Sequence, residues 1–257
     1  MITLFMGAVA TLVFCAPGYP GAAGDAQPYV DQFAKTAATA AGWSAGSLAA
    51  TYDPTERGGL QKLASPDAVL TFVPYAFYVQ HGAQLHLVPL AQADVSEVGT
   101  QERWTLVGKA GGATDASSMA GYTIVSVAGY APEFVKHVAL QAWSLPADVK
   151  IESGQVLSAL RRVTAGEKVA VLLDQTQSAA LPTLPFAAQL HTVTQSAPLP
   201  VAIVAVVDSR VPAARAKALQ SALLKLNSVA GGADALSALH LKGFVMPQLP
   251  ATSTGKP

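Results

Sequence analysis

Short apolar runs alternate along this chain with stretches whose apolar residues recur every three or four positions. The first kind reads as buried strand, the second as a helix with one inward face. TLVFCAP (11–17) is β-branched and aromatic and ends in proline and glycine, which predicts a strand. After a loop at 18–24, Asp25 stands as an N-cap with Pro28 in the first turn. Val30, Phe33, Ala37 and Ala41 then fall on one helical face that Gly42 closes. SLAATY (47–52) predicts a second strand stopped at Asp53-Pro54, GGLQKLAS a short helix, and AVLTFV (68–73) a third strand stopped at Pro74. AFYVQHGAQLHLVPLA (76–91) reads as two strands about a turn at His81-Gly82.

The same alternation returns after a charged stretch, DVSEVGTQER (94–103), and the outgoing segment WTLVGK. GYTIVSV (121–127) predicts a strand. PEFVKHVALQAW predicts a helix with Phe134, Val138 and either Ala142 or Leu145 inward. DVKIES is a strand, and GQVLSALRRVTAG a helix with Val156, Leu157, Leu160 and Val163 on one face. KVAVLLD (168–174) is a buried strand and QTQSAALPTL a further helical turn. The nearly unbroken apolar run 201–207 predicts a strand buried on both faces. A long helix then runs from Pro212 to Gly231, and ADALSALHLKGF forms a last short one. Strand alternating with helix predicts α/β architecture, each lobe a mainly parallel sheet flanked by helices. The lobes divide as 11–98 with 202–257 and 104–194, with hinge crossings at 97–103 and 195–201; residues 1–10 are a leader remnant or the start of a strand.

Composition narrows the function. Of 257 residues, 51% are hydrophobic and 12% charged, enough apolar material for a large core. Lys plus Arg equals Asp plus Glu at 16 each, so no overall field recruits nucleic acid. The single cysteine, Cys15, forms no internal disulfide. His81 and His86 are spaced for neither a helical pair nor a common zinc site, and read as surface or hairpin residues; no metal is expected. The opening MITLFMGAVATLVFCAPGYPG is apolar and has an Ala-Val-Ala segment, but its first lysine is Lys35, so no positive n-region precedes it.

The order of these segments carries a resemblance. TLVFCAPGYPG, VPYAFYVQHG, WTLVGK, MAGYTIVSVAGYAPEFV, SGQVLSALRRVTAGEKVAVLLD and SAPLPVAIVAVVDSRVP resemble the phosphate/phosphonate (PhnD-like) substrate-binding proteins of ABC importers. The resemblance spans roughly residues 11–244 and implies the two-lobed type 2 periplasmic-binding fold. It also implies an extracytoplasmic monomer without enzymatic activity or cofactor. Its ligand is a small polar or anionic solute, and its partner a membrane permease or, for a sensing subunit, a receptor. Carried onto this chain, the pocket draws on Gly18, Tyr19, Tyr52, Pro74 and Tyr75 from one lobe, and on Ser126, Gly129, Tyr130, Asp174 and Gln175 from the other.

Independently of the resemblance, each of these residues stands at the carboxyl end of an expected strand, where open α/β sheets bind ligands. The glycines admit backbone N–H groups to a guest, and tyrosines pair an apolar face with a hydroxyl. The run SVAGY (126–130) departs from the hydroxyl-rich run of phosphonate binders: Val127 and Ala128 bring no side-chain donor, and Asp174 repels an anion it faces. Each residue has a structural alternative: Ser126 bonding its own backbone, Asp174 and Gln175 capping the next turn, Glu133 complementing a helix dipole. An enzyme reading rests on Gly18, Gly21, Gly24 and Asp53, which imitate a dinucleotide site, but the spacing is G-x-x-G-x-x-G.

Overall fold

The computed structural model describes residues 9–19 and 22–250, so residues 1–8 of the expected leader or strand start lie outside it. In chain order come β1 (Ala10–Cys15), α1 (Ala23–Ala40), β2 (Leu48–Asp53), α2 (Glu56–Ala64), β3 (Ala68–Pro74), α3 (Tyr75–His81) and β4 (Leu87–Val95). Next are β5 (Gln101–Glu102), β6 (Thr105–Lys109), β7 (Thr123–Ser126) and α4 (Pro132–Phe134), which runs into a π-turn over Val135–Ala139. There follow β8 (Lys150–Ser153), α5 (Val156–Thr164), β9 (Val169–Leu173), α6 (Gln175–Ala180), β10 (Leu190–Gln195) and β11 (Leu199–Pro200). The chain ends with β12 (Ala202–Val207), α7 (Ala213–Leu223), α8 (Gly232–Ser237) and β13 (Leu241–Val245). It divides into two compact units: residues up to Thr100 with Val201–Gln248, and Gln101–Pro200.

The first unit is built on a six-stranded sheet of order β13-β4-β12-β3-β1-β2. The β2-β1-β3 part is parallel, while β12, β4 and β13 join antiparallel, which makes the sheet mixed. On one face, Leu12, Leu70, Phe72 and Val204 meet Phe33 and Ala37 of α1 and Leu219 and Leu223 of α7. Phe72 sits at the centre of four rings, with Phe14 at 4.5 Å, Phe244 at 5.8 Å and Phe33 at 6.2 Å, tying three strands to α1. Each such buried side chain contributes about 1.5–3 kcal/mol of apolar transfer free energy. α1 ends in a Schellman motif: Gly42 takes φ 72°, its N–H bonds the Thr39 carbonyl, and the Trp43 N–H bonds Ala38. The outermost strand, β2, is held by a side chain of α1. The Gln27 amide donates to the Ala50 carbonyl at 3.0 Å and accepts from the Tyr52 N–H at 3.1 Å.

The second unit has a five-stranded sheet of order β10-β6-β9-β7-β8, parallel across β8-β7-β9 and antiparallel at β6 and β10. Val107, Val125, Val171 and Leu173 pack against Ala159, Leu160 and Val163 of α5. β5 and β11 pair only with each other, Leu199 opposite Glu102, beside the two points where the chain passes between units. Trp104 and Ser196 extend that pairing: the Trp104 N–H donates to Ser196 Oγ at 2.9 Å, and the Ser196 N–H to the Trp104 carbonyl at 2.8 Å.

Several local expectations change. α1 begins at Ala23, so Asp25 lies in its first turn, suited to the helix dipole, and Pro28 lies inside the helix. The residues after Pro74 form helix α3 where a hairpin was expected; a seven-residue aromatic run carries too short a period to separate the two. His81 accordingly is buried, its Nε2 at 2.7 Å from Glu56 Oε1. Phe134 is buried as expected; the π-turn adds a residue to its turn of helix, so Val135 and Ala139 are buried, Val138 and Leu145 half-buried and Ala142 exposed. Leu157 on α5 is 46% exposed. The long helix from Pro212 stops at Leu223, and the final segment is α8 followed by strand β13.

Two helical glycines separate packing from propensity. A Cβ on Gly59 of α2 would lie 2.1 Å from Cys15 Sγ, whereas one on Gly24 of α1 would meet nothing within 4 Å. Gly59→Ala should destabilise the protein by about 1–3 kcal/mol in urea unfolding despite alanine's better helix propensity. Gly24→Ala should be neutral or slightly stabilising in the same measurement.

Candidate functional site

Parallel pairing puts the carboxyl ends of β1, β2 and β3 at one end of the first sheet, with Phe14 in register with both Tyr52 and Phe72. The loops there carry Gly18, Tyr19, Tyr52, Pro74 and Tyr75. Gly18 adopts φ 84° in the turn closed by Tyr19 N–H to the Ala16 carbonyl, so the glycine answers a backbone requirement. Tyr19 is on the border of exposure; Pro20 and Gly21 lie outside the described residues. Tyr52 is buried with its ring 6.1 Å from Phe14, and burial followed by the nearby Cys15 raises its hydroxyl pKa.

Pro74 is the N-cap of α3 and Tyr75 its first residue, whose N–H already donates to the Val201 carbonyl at 2.9 Å. The Tyr75 ring stacks on Tyr78, centroids 6.2 Å apart and 18° from parallel, and burial pushes its hydroxyl up to about 12. A neutral phenol of this kind donates and accepts throughout the physiological range.

In the second unit, β7 and β9 run parallel with Ser126 in register with Leu172, so the loop after Ser126 and the start of α6 share one end of the sheet. Ser126 is fully buried. Its hydroxyl donates to the Leu172 carbonyl at 2.8 Å and accepts from the Ala128 N–H at 3.2 Å. The Gly129 N–H bonds the Ser126 carbonyl and the Ala131 N–H bonds Ala128, while Pro132 has no N–H to give. A Cβ on Gly129 would stand 2.1 Å from the Glu152 carbonyl oxygen, so this glycine lets the loop lie against β8. Tyr130 follows it and is half-buried.

α6 is capped by Asp174 in a complete capping box: Asp174 Oδ1 accepts from the Gln177 N–H at 2.8 Å, and Gln177 Oε1 accepts from the Asp174 N–H at 3.2 Å. The Gln175 N–H points to a second carboxylate, Glu102 Oε2, at 3.5 Å. Glu102 and Asp174 are both about 95% buried. Burial, then the Asp174 charge, pushes the Glu102 carboxyl up to about 8; burial also raises Asp174, against the backbone N–H groups of Gln177 and Thr176. Glu102 was not legible as a site residue, since it stands in a charged run between strands. The Trp104 ring beside it packs edge-on against Phe134 of α4 at 5.2 Å.

Each unit therefore gathers its own set of expected residues at one sheet end, but the donors there are largely committed to the protein itself. The expected dinucleotide acid is also committed. Asp53 accepts from the Thr55 N–H and hydroxyl and pairs with Lys62; burial opposes its charge, and these hydrogen bonds outweigh burial and hold its carboxyl below the usual range. Among the described residues no group of three His, Cys, Asp or Glu side chains could hold a metal ion, and no helix is long and apolar enough to cross a membrane.

No known family profile matches the chain, and no curated protein matches its sequence. Solved structures share its fold. XAC2383 from Xanthomonas citri, bound to chloride ion, superposes with a TM-score of 0.70 at 16% identity over 95% of this chain and 94% of that one. PhnD1 from Prochlorococcus marinus in complex with methylphosphonate gives 0.60 at 14% identity over 93% of each. A histidine kinase sensor domain with similarity to periplasmic binding proteins gives 0.51 at 14% identity over 93% and 98%. The fold is thus the mixed α/β architecture of the periplasmic-binding proteins.

The Ser126 hydroxyl is the residue whose assignment is easiest to check. Ser126→Ala leaves the Leu172 carbonyl and the Ala128 N–H without their buried partner. It should cost about 1–3 kcal/mol in denaturant unfolding with the solute absent. A ligand contact alone would leave that stability unchanged.

Proposed function

We propose that the chain is a solute-binding protein that captures a small polar solute between its two units and releases it unaltered. A membrane permease of an ABC importer is its partner, or a receptor if the same clamp serves sensing. The observation that carries this reading is the fold: two α/β units, each with loops gathered at the carboxyl ends of parallel strands, joined by two passages of chain. The similarity to PhnD1 and to a sensor domain supports it. An extracytoplasmic location belongs to the same proposal, as do the crossings near 97–103 and 195–201 as hinges.

A phosphate- or phosphonate-like oxyanion is the ligand class that the resemblance implies. The local chemistry favours a solute with less negative charge. A doubly charged oxyanion needs many donors. Here the Ser126 hydroxyl and the N–H groups of Ala128, Gly129 and Ala131 are engaged, and the Asp174 carboxylate and the buried Glu102 carboxyl occupy the start of α6. Tyr75 is fully buried, and the half-buried Tyr78 stacked on it is the neutral aromatic ring that can meet an apolar or weakly charged portion of the guest.

The reading is tested by thermal shift across a library of small solutes that includes phosphate, phosphite, methylphosphonate and sulfate beside uncharged and amine-bearing compounds. A binder present at 100 times its Kd stabilises the folded protein by about 2.7 kcal/mol, which is readily seen as a rise in Tm. We expect the rise with an uncharged or amine-bearing solute and none with the dianions; a rise with methylphosphonate alone would restore the oxyanion class. Tyr78→Phe, at the half-buried ring of the stacked pair, should weaken the solute identified by about 3–10-fold in calorimetry, the scale of one neutral hydrogen bond, measured at a temperature where parent and variant are both fully folded.

A further inference from the structure

The pairing of β5 with β11 is two residues long and stands where the chain enters and leaves the second unit. A ladder that short has little stability of its own. What holds it is side-chain chemistry: Arg103 Nη1 donates to the Ser196 carbonyl at 2.8 Å, Trp104 and Ser196 exchange two bonds, and Glu102 reaches the Gln175 N–H of α6.

Of these ties only the one through Glu102 can change its charge at ordinary pH. The groups around it are few. β11 opposite brings Leu199 and Pro200, which are uncharged. α6 brings the Asp174 carboxylate at its cap, together with Gln175 and Gln177. Arg103, the next residue, is turned to Ser196. The Trp104 indole N–H leans on the same carboxyl without closing a hydrogen bond of ordinary geometry. Asp174 accepts at the positive end of a helix and is the better placed of the two to hold a negative charge; Glu102 has a single long acceptor contact and holds the proton.

We infer that Glu102 is a proton-operated latch on the crossing ladder: neutral, it lets β5 seat against the start of α6, and ionised, it is repelled by Asp174 and loosens the ladder. The folded carboxyl keeps its proton to about pH 8, against an ordinary value of 4.5. The seated state is therefore complete below about pH 4.5 and lost as the pH rises through about 8. For the clamp proposed above, this would make the ease of hinge motion depend on pH in the alkaline range.

Amide hydrogen exchange on the solute-free protein tests the latch without reference to any ligand, so its failure and the failure of the solute-binding reading are separate results. After correction for intrinsic exchange rates, protection at the Trp104, Gln175 and Ser196 amides should fall about tenfold between pH 6 and pH 9 in the parent. In Glu102→Gln, which fixes the neutral form, it should stay flat. Asp174→Asn keeps a competent cap and removes the like charge, so its loss of protection should shift to lower pH, with a smaller amplitude, together with the Glu102 side-chain carbon titration followed by NMR. Equal losses in the parent and in Glu102→Gln, or no loss in the parent, would overturn the latch. Should Glu102→Gln fail to fold, an Asp174→Asn profile identical to the parent would overturn it equally.

Discussion

A donor or acceptor withdrawn from water must be paired inside the protein, and the ends of the strands in this chain are organised by that requirement. Ser126 is the clearest case. Its hydroxyl joins the end of β7 to the Leu172 carbonyl of β9 and at the same time gathers the Ala128 N–H. The loop beyond it then folds on its own carbonyls, and Gly129 allows it to lie against β8. At the start of α6 the Asp174 carboxylate and the Glu102 carboxyl accept from N–H groups that a free helix end would offer a guest. The same rule operates on structural carbonyls elsewhere: Arg210 Nη1 gathers those of Leu63, Ser65 and Ala68 where α2 hands over to β3.

This internal pairing bears directly on ligand chemistry. A site rich in uncommitted N–H and O–H groups suits a dianion, because each oxygen can be compensated. A strand end whose donors are already spent offers a dianion few partners. Similarity of backbone to PhnD1 at 14% identity says nothing about which side chains the loops carry.

Much of the architecture was legible in the sequence. The buried runs of β1, β3, β9 and β12 have strand length and apolar, β-branched composition, and these suffice to identify them. What escaped is what tertiary context decides. α3 was read as strand because aromatic residues suit both states over seven positions; β10 and β13 are short strands defined by their partners rather than by alternation. At the candidate site the residues at strand ends could be named, but not the direction of their hydrogen bonds. Asp174 as a cap and the Ser126 contact with the Ala128 N–H follow from local geometry, whereas the Ser126 bond to the Leu172 carbonyl, 46 positions away, does not. The approach of Glu102 to α6 joins residues 73 positions apart, and no local pattern encodes it.

The outer strand β2 offers one last consequence. Its unpaired side would present peptide groups to any extended segment that passed by, and such rows invite sheet-to-sheet association between molecules. The Gln27 amide fills that role from within, imitating a neighbouring peptide at Ala50 and Tyr52. One side chain of a helix thus occupies peptide groups of β2 that a passing strand would otherwise pair with.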